Sequence, residues 1–158
     1  MEHNERERYG RYIEDYAVGD VFKHWPGRTI TESDHQTFCL LTGNLSPLHM
    51  DAHEALNHRH KQRLVPGLLI LALAVSMGIN EISGQAIAAL GYEEVRHLAP
   101  TFIGDTIYAR TTVTEKSMSA RGGRGTVKLE TVAYNQKGED ILSCVRTLMI
   151  PTKPAPVK

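Results

Sequence analysis

Apolar residues in the first half of the chain recur with the period of a helix. Between residues 68 and 82 they keep that period and also fill most of the opposite side. A helix that is apolar nearly all round must be covered by other structure, so we predict a long buried helix that opens at Pro66-Gly67 and ends at Gly84. A shorter helix is predicted from Thr31, an N-cap residue followed by acids in the first turn, to Gly43.

The second half alternates apolar and polar residues with the period of a strand. Four runs are predicted to be strands: 92–101, 107–114, 127–133 and 141–150. Glycine-containing turns separate these runs, and consecutive strands joined by turns form an antiparallel sheet. The pattern therefore predicts an α+β fold in which one long central helix lies inside a curled sheet.

Length and charge limit the class of protein. A chain of 158 residues is long enough for one domain, which we place at residues 11–150, with a mobile arm at 1–10 and a mobile tail at 151–158. Its 18 basic and 18 acidic side chains argue against a nucleic-acid-binding protein held by bulk electrostatics.

Location is predicted from the absence of export and membrane signals. The apolar run from Leu64 to Val75 is shorter than the roughly 20 residues that a bilayer-spanning helix needs. The charged N-terminus lacks an apolar leader segment. Cys39 and Cys144 lie in apolar runs and form no CxxC pair, which indicates buried thiols in a reducing compartment. We expect a soluble, cytoplasmic protein.

The segment from residue 41 to residue 51 contains the main candidate site. A short polar turn, stiffened by Pro47, follows the helix end at Gly43 and holds Asn44 and His49 five residues apart. Such a turn can hold catalytic side chains on a rigid base. The alternative is a loop between two helices that carries a surface histidine.

Several motifs, taken in order, carry a family resemblance. Residues 43–49 read Gly-Asn-Leu-Ser-Pro-Leu-His and are similar to a signature close to Gly-Asp-x-Asn-Pro-x-His. Residues 65–67 stand where the same family has Val-His-Gly, and residues 102–106 and 134–138 match two later landmarks. Over about residues 10 to 150 the chain resembles the MaoC-like enoyl-CoA hydratase/dehydratase family, which has the hotdog fold.

The resemblance extends to one branch of that family. Residues 15–21 and 91–96 look like the branch that acts on branched dicarboxylic acyl-CoAs, such as mesaconyl-CoA or β-methylmalyl-CoA. Three positions depart from the family signature, with Asn44 in place of the acid, Ser46 in place of asparagine and Pro66 in place of histidine. Members of the branch also carry asparagine at the first of these positions.

The resemblance implies a role for each motif residue. His49 would be the acid/base, and the backbone N–H of Gly67 would donate to the thioester oxygen. Asn44 would orient a water or a substrate oxygen, although its amide cannot accept a proton. Ser46 and Pro66 would contact substrate. No cofactor and no metal are expected, since CoA is part of the substrate.

Because Asn44 cannot accept a proton, either His49 alone handles the proton or another acid helps. Asp34 and Asp51 are nearby in sequence, but Asp34 is more typical of an acid in the first turn of a helix, and Asp51 of a cap on the helix that follows. The histidines between 49 and 60 suggest a zinc site, but no carboxylate or cysteine completes the set, which favours a polar surface helix. The sequence does not choose among Arg59, Arg63 and the 121–125 turn as contacts for CoA phosphates.

Two other functions remain on the same fold: an acyl-CoA thioesterase and a non-catalytic acyl-CoA-binding protein. The histidine turn favours the hydratase/dehydratase, because thioesterases of this fold generally lack it. A single curled sheet leaves edge strands unpaired. We therefore predict at least a homodimer, or a dimer of dimers, with the site at the subunit interface.

Overall fold

The fold is known from a computed structural model, which describes residues 9–154. The helices are α1 (Glu32–Thr42), α2 (Pro47–Met50) and α3 (Gly67–Met77). The strands are β1 (Val21–Thr29), β2 (Ala88–His97), β3 (Thr106–Met118), β4 (Arg124–Asn135) and β5 (Asp140–Pro151). Short 3-10 turns cover Ile13–Asp15 and Glu54–Asn57, and a π turn covers Ile79–Ser83. The predicted α+β class is confirmed.

The five strands form one antiparallel sheet in the order β1-β3-β4-β5-β2. Buried and partly exposed residues alternate along β4 and β5, as the sequence pattern predicted. β2 ends at His97 and not at residue 101, although the amide of Leu98 still donates to the Ile141 carbonyl of β5 (2.9 Å). The carbonyl of Thr101 instead accepts a hydrogen bond from the amide of Val65 (2.9 Å).

The sequence pattern did not predict β1. This strand lies at the edge of the sheet, contains Pro26 and Gly27, and has a register irregularity between His24 and Arg28. Proline is tolerated on an edge strand because its missing N–H is not needed for pairing. An irregular edge strand therefore loses the strict alternation by which strands are recognised.

The central helix is shorter than predicted. α3 ends at Met77, and Gly78 separates it from the π turn. A Cβ at Gly78 would lie 3.1 Å from two His24 ring atoms and 3.4 Å from Nη2 of Arg146, so the backbone passes close to the sheet there. Within the single chain, the sheet covers one face of α3 and leaves Leu68 64% exposed.

Two apolar clusters form the core. One packs α3 against the sheet, and the other lies at the opposite end, around Ile82 of the π turn. Cys39 and Cys144 are both buried and free, as predicted, and burial raises the pKa of both thiols. Among residues 9–154, no helix has the length and apolarity that crossing a bilayer requires.

The predicted terminal arm and tail lie mostly outside the described residues. At their inner ends, the amide of Gly10 donates to the Asn80 carbonyl (2.7 Å), and the amide of Thr152 donates to the Gly123 carbonyl (3.1 Å). Both inner ends are therefore hydrogen-bonded to the domain.

Candidate active site

The end of α1 sets the direction of the candidate turn. Gly43 has φ 67°, a left-handed conformation that glycine adopts without steric strain. Its amide donates to the carbonyls of Cys39 and Leu40. The amide of Asn44 donates to the same Cys39 carbonyl (3.0 Å). The chain therefore leaves α1 through a hydrogen-bonded cap, as predicted from Gly43.

His49 lies on a one-turn helix, where the sequence predicted a polar turn. Ser46 occupies the N-cap position of α2, and Pro47 is its first residue, a position where a missing N–H costs nothing. The Ser46 carbonyl accepts from the amides of His49 (2.9 Å) and Met50 (3.0 Å). The backbone of His49 is thus fixed at a defined angle to the end of α1.

The imidazole of His49 is oriented by a backbone carbonyl. Nδ1 lies 2.8 Å from the carbonyl oxygen of Leu64. Because a carbonyl only accepts, neutral His49 carries its proton on Nδ1 and keeps a lone pair on Nε2. The ring lines a cavity of about 350 Å³. A histidine held in this tautomer can take a proton at Nε2.

The segment that holds this carbonyl also starts α3. The amide of Leu64 donates to the Leu48 carbonyl (3.2 Å) in α2, and the amide of Val65 donates to the carbonyl of Thr101 (2.9 Å) after β2. These two bonds join α2, the entry of α3 and the end of β2. They bring the turn of His49 and the first residue of α3 to the same cavity.

Gly67 is the first residue of α3 and lines the same cavity as His49. Its N–H has no acceptor within residues 9–154. Free amides at a helix N-terminus, together with the helix dipole, favour negative charge on a nearby oxygen. This arrangement suits a developing oxyanion.

The structure brings together two of the five predicted site residues. His49 and Gly67 line the cavity, whereas its described walls do not include Asn44, Ser46 or Pro66. Asn44 is partly buried, Ser46 is exposed and Pro66 is the buried N-cap of α3.

Sequence reasoning missed His35. This residue of α1 is completely buried, and its Nε2 lies 2.7 Å from the backbone carbonyl of His49, so Nε2–H is the donor. The two rings meet edge to face with centroids 6.4 Å apart. The available signal was the i, i+4 spacing of His35 and Cys39, which places both on the inward face of α1.

The predicted roles of the two nearby acids are confirmed: Asp34 lies in the first turn of α1, and Asp51 caps free amides that follow it. Asp34 accepts from the amide of Thr31 (3.0 Å), and this bond holds the pKa of its carboxyl below the usual value. Asp51 accepts from the amides of His53 and Glu54, both at 2.9 Å. Neither acid belongs to the described walls of the cavity, which contain no carboxylate.

The other histidines and Arg63 do not assemble a second centre. Within residues 9–154, no group of three or more histidine, cysteine, aspartate or glutamate side chains is placed to hold a metal ion. Arg63 forms a two-point ion pair with Glu32, at 2.8 and 2.7 Å. Its guanidinium is therefore partly occupied in the single chain.

Sequence comparison gives a family and a relative. The family model described as the MaoC like domain matches residues 15–135. Mesaconyl-CoA hydratase from Cereibacter sphaeroides is 33% identical over 141 residues, which is 89% of this chain and 41% of that protein. The chain thus spans less than half the length of this relative.

Solved structures show the same architecture. A monoamine oxidase regulatory protein from Archaeoglobus fulgius is 33% identical, with a TM-score of 0.83 over 92% of this chain and 97% of that one. A Mycobacterium tuberculosis protein described as a double hotdog fold has a TM-score of 0.84 at 24% identity, over 94% of this chain and 46% of that one. The predicted hotdog fold is therefore confirmed, and the chain belongs to the MaoC-like domain family.

Proposed function

We propose that this chain is a hydratase/dehydratase that adds water to, or removes it from, an α,β-unsaturated acyl-CoA thioester. The observation that carries the proposal is the shared cavity of His49, whose Nε2 can take a proton, and the Gly67 amide, which can bind an oxyanion. A branched dicarboxylic acyl group is the proposed substrate class. The similarity to mesaconyl-CoA hydratase supports that class.

In the hydration direction, His49 Nε2 accepts a proton from water as the water oxygen bonds to Cβ of the enoyl group. The π electrons move toward Cα and the thioester oxygen, and the Gly67 amide stabilises the resulting enolate. A proton then adds to Cα and completes the 3-hydroxyacyl thioester. Dehydration is the reverse, and no cofactor takes part.

We assign supporting roles to the neighbouring polar residues. Asn44 would orient the attacking water or a substrate oxygen through its amide, since it cannot act as a base. Ser46 and Pro66 would contact the acyl or pantetheine part of the substrate. His35 would hold the backbone of His49 in place through its 2.7 Å hydrogen bond.

We further propose a homodimer, or a dimer of dimers, that completes the site. The outer face of α3 and Tyr92 of β2 line an apolar groove of about 390 Å³. β2 is an edge strand, and Leu90 on it is 51% exposed. Pairing two copies along this edge would bury both features. A sedimentation profile of a monomer at micromolar concentration would contradict this arrangement. The cytoplasmic location stays a prediction.

One assay distinguishes the candidate functions. The protein is mixed separately with crotonyl-CoA and mesaconyl-CoA, and the enoyl absorbance and free thiol are followed together. Loss of absorbance without thiol release is the expected result. Thiol release would instead show a thioesterase, and binding without either change would show a non-catalytic acyl-CoA-binding protein.

Matched histidine variants test the residue assignment. His49→Ala should abolish turnover and keep the fold, because the ring lies at the cavity wall and its backbone is held independently. His53→Ala is the control, since His53 is exposed and does not belong to the described walls. Hydration by His49→Ala at the rate of the unmodified protein would overturn the assignment.

A further inference from the structure

A second proton-handling group in the cavity would let one residue take the proton of water while another delivers a proton to Cα, and the following inference rests on the proposed function. Hydration takes one proton from water and delivers one to Cα. Asn44 cannot do either, and both Asp34 and Asp51 are occupied as helix caps. The titratable side chains on the described walls are three histidines: His49, His60 and His97.

His97 is the histidine that lies against the oxyanion donor. It is the last residue of β2 and pairs with Leu142 of β5. A Cβ built at Gly67 would lie 2.6 Å from Nδ1 and 2.8 Å from Nε2 of His97, so the imidazole rests directly on the Gly67 backbone. A group that binds the Gly67 amide is therefore adjacent to this ring.

Both ring nitrogens of His97 remain available. Its side chain makes no hydrogen bond and no ion pair with any residue from 9 to 154. The residue is exposed and lines the cavity. The neighbouring charges on β2 have other partners, since Arg96 pairs with Glu94 at 3.8 Å and Glu93 pairs with Lys128 of β4 at 3.5 Å. In contrast, His49 is committed through Nδ1 to the Leu64 carbonyl.

His60 is less suited to the role. Its ring packs edge to face on Phe102, with centroids 5.7 Å apart, and it belongs to a segment without regular secondary structure. No described contact places it on the Gly67 backbone, where His97 lies. The thioester oxygen and Cα are only two bonds apart, so the donor to Cα belongs beside the oxyanion site.

We propose that His97 is the second catalytic residue and takes the place of the family's acid. Protonated His97 gives its proton to Cα of the enolate, while His49 Nε2 receives the proton of the attacking water. The C–O bond at Cβ and the C–H bond at Cα form, and the C=C π bond is lost. His49 leaves the step protonated and His97 leaves it neutral, and exchange with solvent resets both rings.

The test measures hydration of crotonyl-CoA and mesaconyl-CoA against pH for the full chain and its variants. The unmodified protein should give a bell-shaped profile, because the step needs one neutral and one protonated imidazole. His97→Gln should lower kcat by about 100-fold or more, change KM little, and lose the alkaline limb. Added imidazole should partly restore His97→Ala.

Controls separate this inference from the proposed function. His53→Gln should keep the activity and both limbs, and circular dichroism should show that every variant folds. If the unmodified protein hydrates neither substrate, the proposed function fails and the role of His97 fails with it. A different result overturns only the assignment of His97. In that result the unmodified protein is active, His49→Ala is inactive, and His97→Gln keeps its kcat and both limbs of the pH profile. Loss of the alkaline limb in His60→Gln instead would also overturn it.

Discussion

Replacing Arg146 with methionine should stabilise the protein. Arg146 lies on β5 with 2% of its surface exposed, and its buried Nε and Nη2 have no hydrogen-bond partner within residues 9–154. Burial lowers the pKa of this guanidinium. A buried charge without an acceptor costs several kcal/mol even after the protein relaxes. Methionine fills much of the same length without a charge.

The gain should be smaller than the full desolvation cost, because methionine does not refill all the volume of the guanidinium. We expect the free energy of unfolding to rise by about 1–3 kcal/mol. For a chain of this size, that corresponds to an increase in Tm of about 3–10 °C. Urea unfolding followed by circular dichroism measures the free energy, and calorimetry measures Tm.

Arg110 provides the matched control for this measurement. Its guanidinium forms a two-point ion pair with Asp140, at 2.9 and 2.8 Å, in a partly exposed position. Arg110→Met should therefore lower the stability slightly, by less than about 1 kcal/mol. Loss of more than about 1 kcal/mol in Arg146→Met would refute the reasoning, since the side chain would then contribute more to the folded state than its desolvation costs.

Three further predictions concern the core and the site. Burial raises the pKa of Tyr16 to about 12, above its value in the unfolded chain. The contribution of neutral Tyr16 to the free energy of unfolding is therefore complete below about pH 10 and is lost as pH rises toward 12. Urea titrations should show about 3 kcal/mol of alkaline destabilisation that Tyr16→Phe lacks, and equal losses in both proteins would contradict this. His35→Leu removes the hydrogen bond to the His49 carbonyl, but it also removes the buried, unpaired Nδ1. The free energy of unfolding should therefore change by less than about 2 kcal/mol, while kcat falls. An unchanged kcat would show that His35 does not position the turn. Gly67→Ala should displace the exposed ring of His97 and reduce turnover. The free energy of unfolding should stay within about 1 kcal/mol, since alanine is the better helix former. Full activity would mean that the close approach of the His97 ring to the Gly67 backbone is unnecessary.

Local patterns determined the elements that depend on neighbours in the chain. The alternation in β4 and β5 predicted those strands, and Thr31 and Gly43 predicted both ends of α1. Asp51 was correctly interpreted as a cap, because a side chain and the amides two and three residues later form a local unit. Each of these features is decided by contacts within a few residues.

The sequence by itself determined the motif turn with His49 and the helix start at Gly67, because the residue types in these segments and their spacing match a family signature. Only the tertiary structure decided that His49 and Gly67 share a cavity, that His35 supports the turn and that His97 rests on Gly67. The reason is that these contacts join residues far apart in the chain, and no local period records which strand end a helix start will meet. Burial and pairing across the sheet settle that question, and they exist only once the chain has folded.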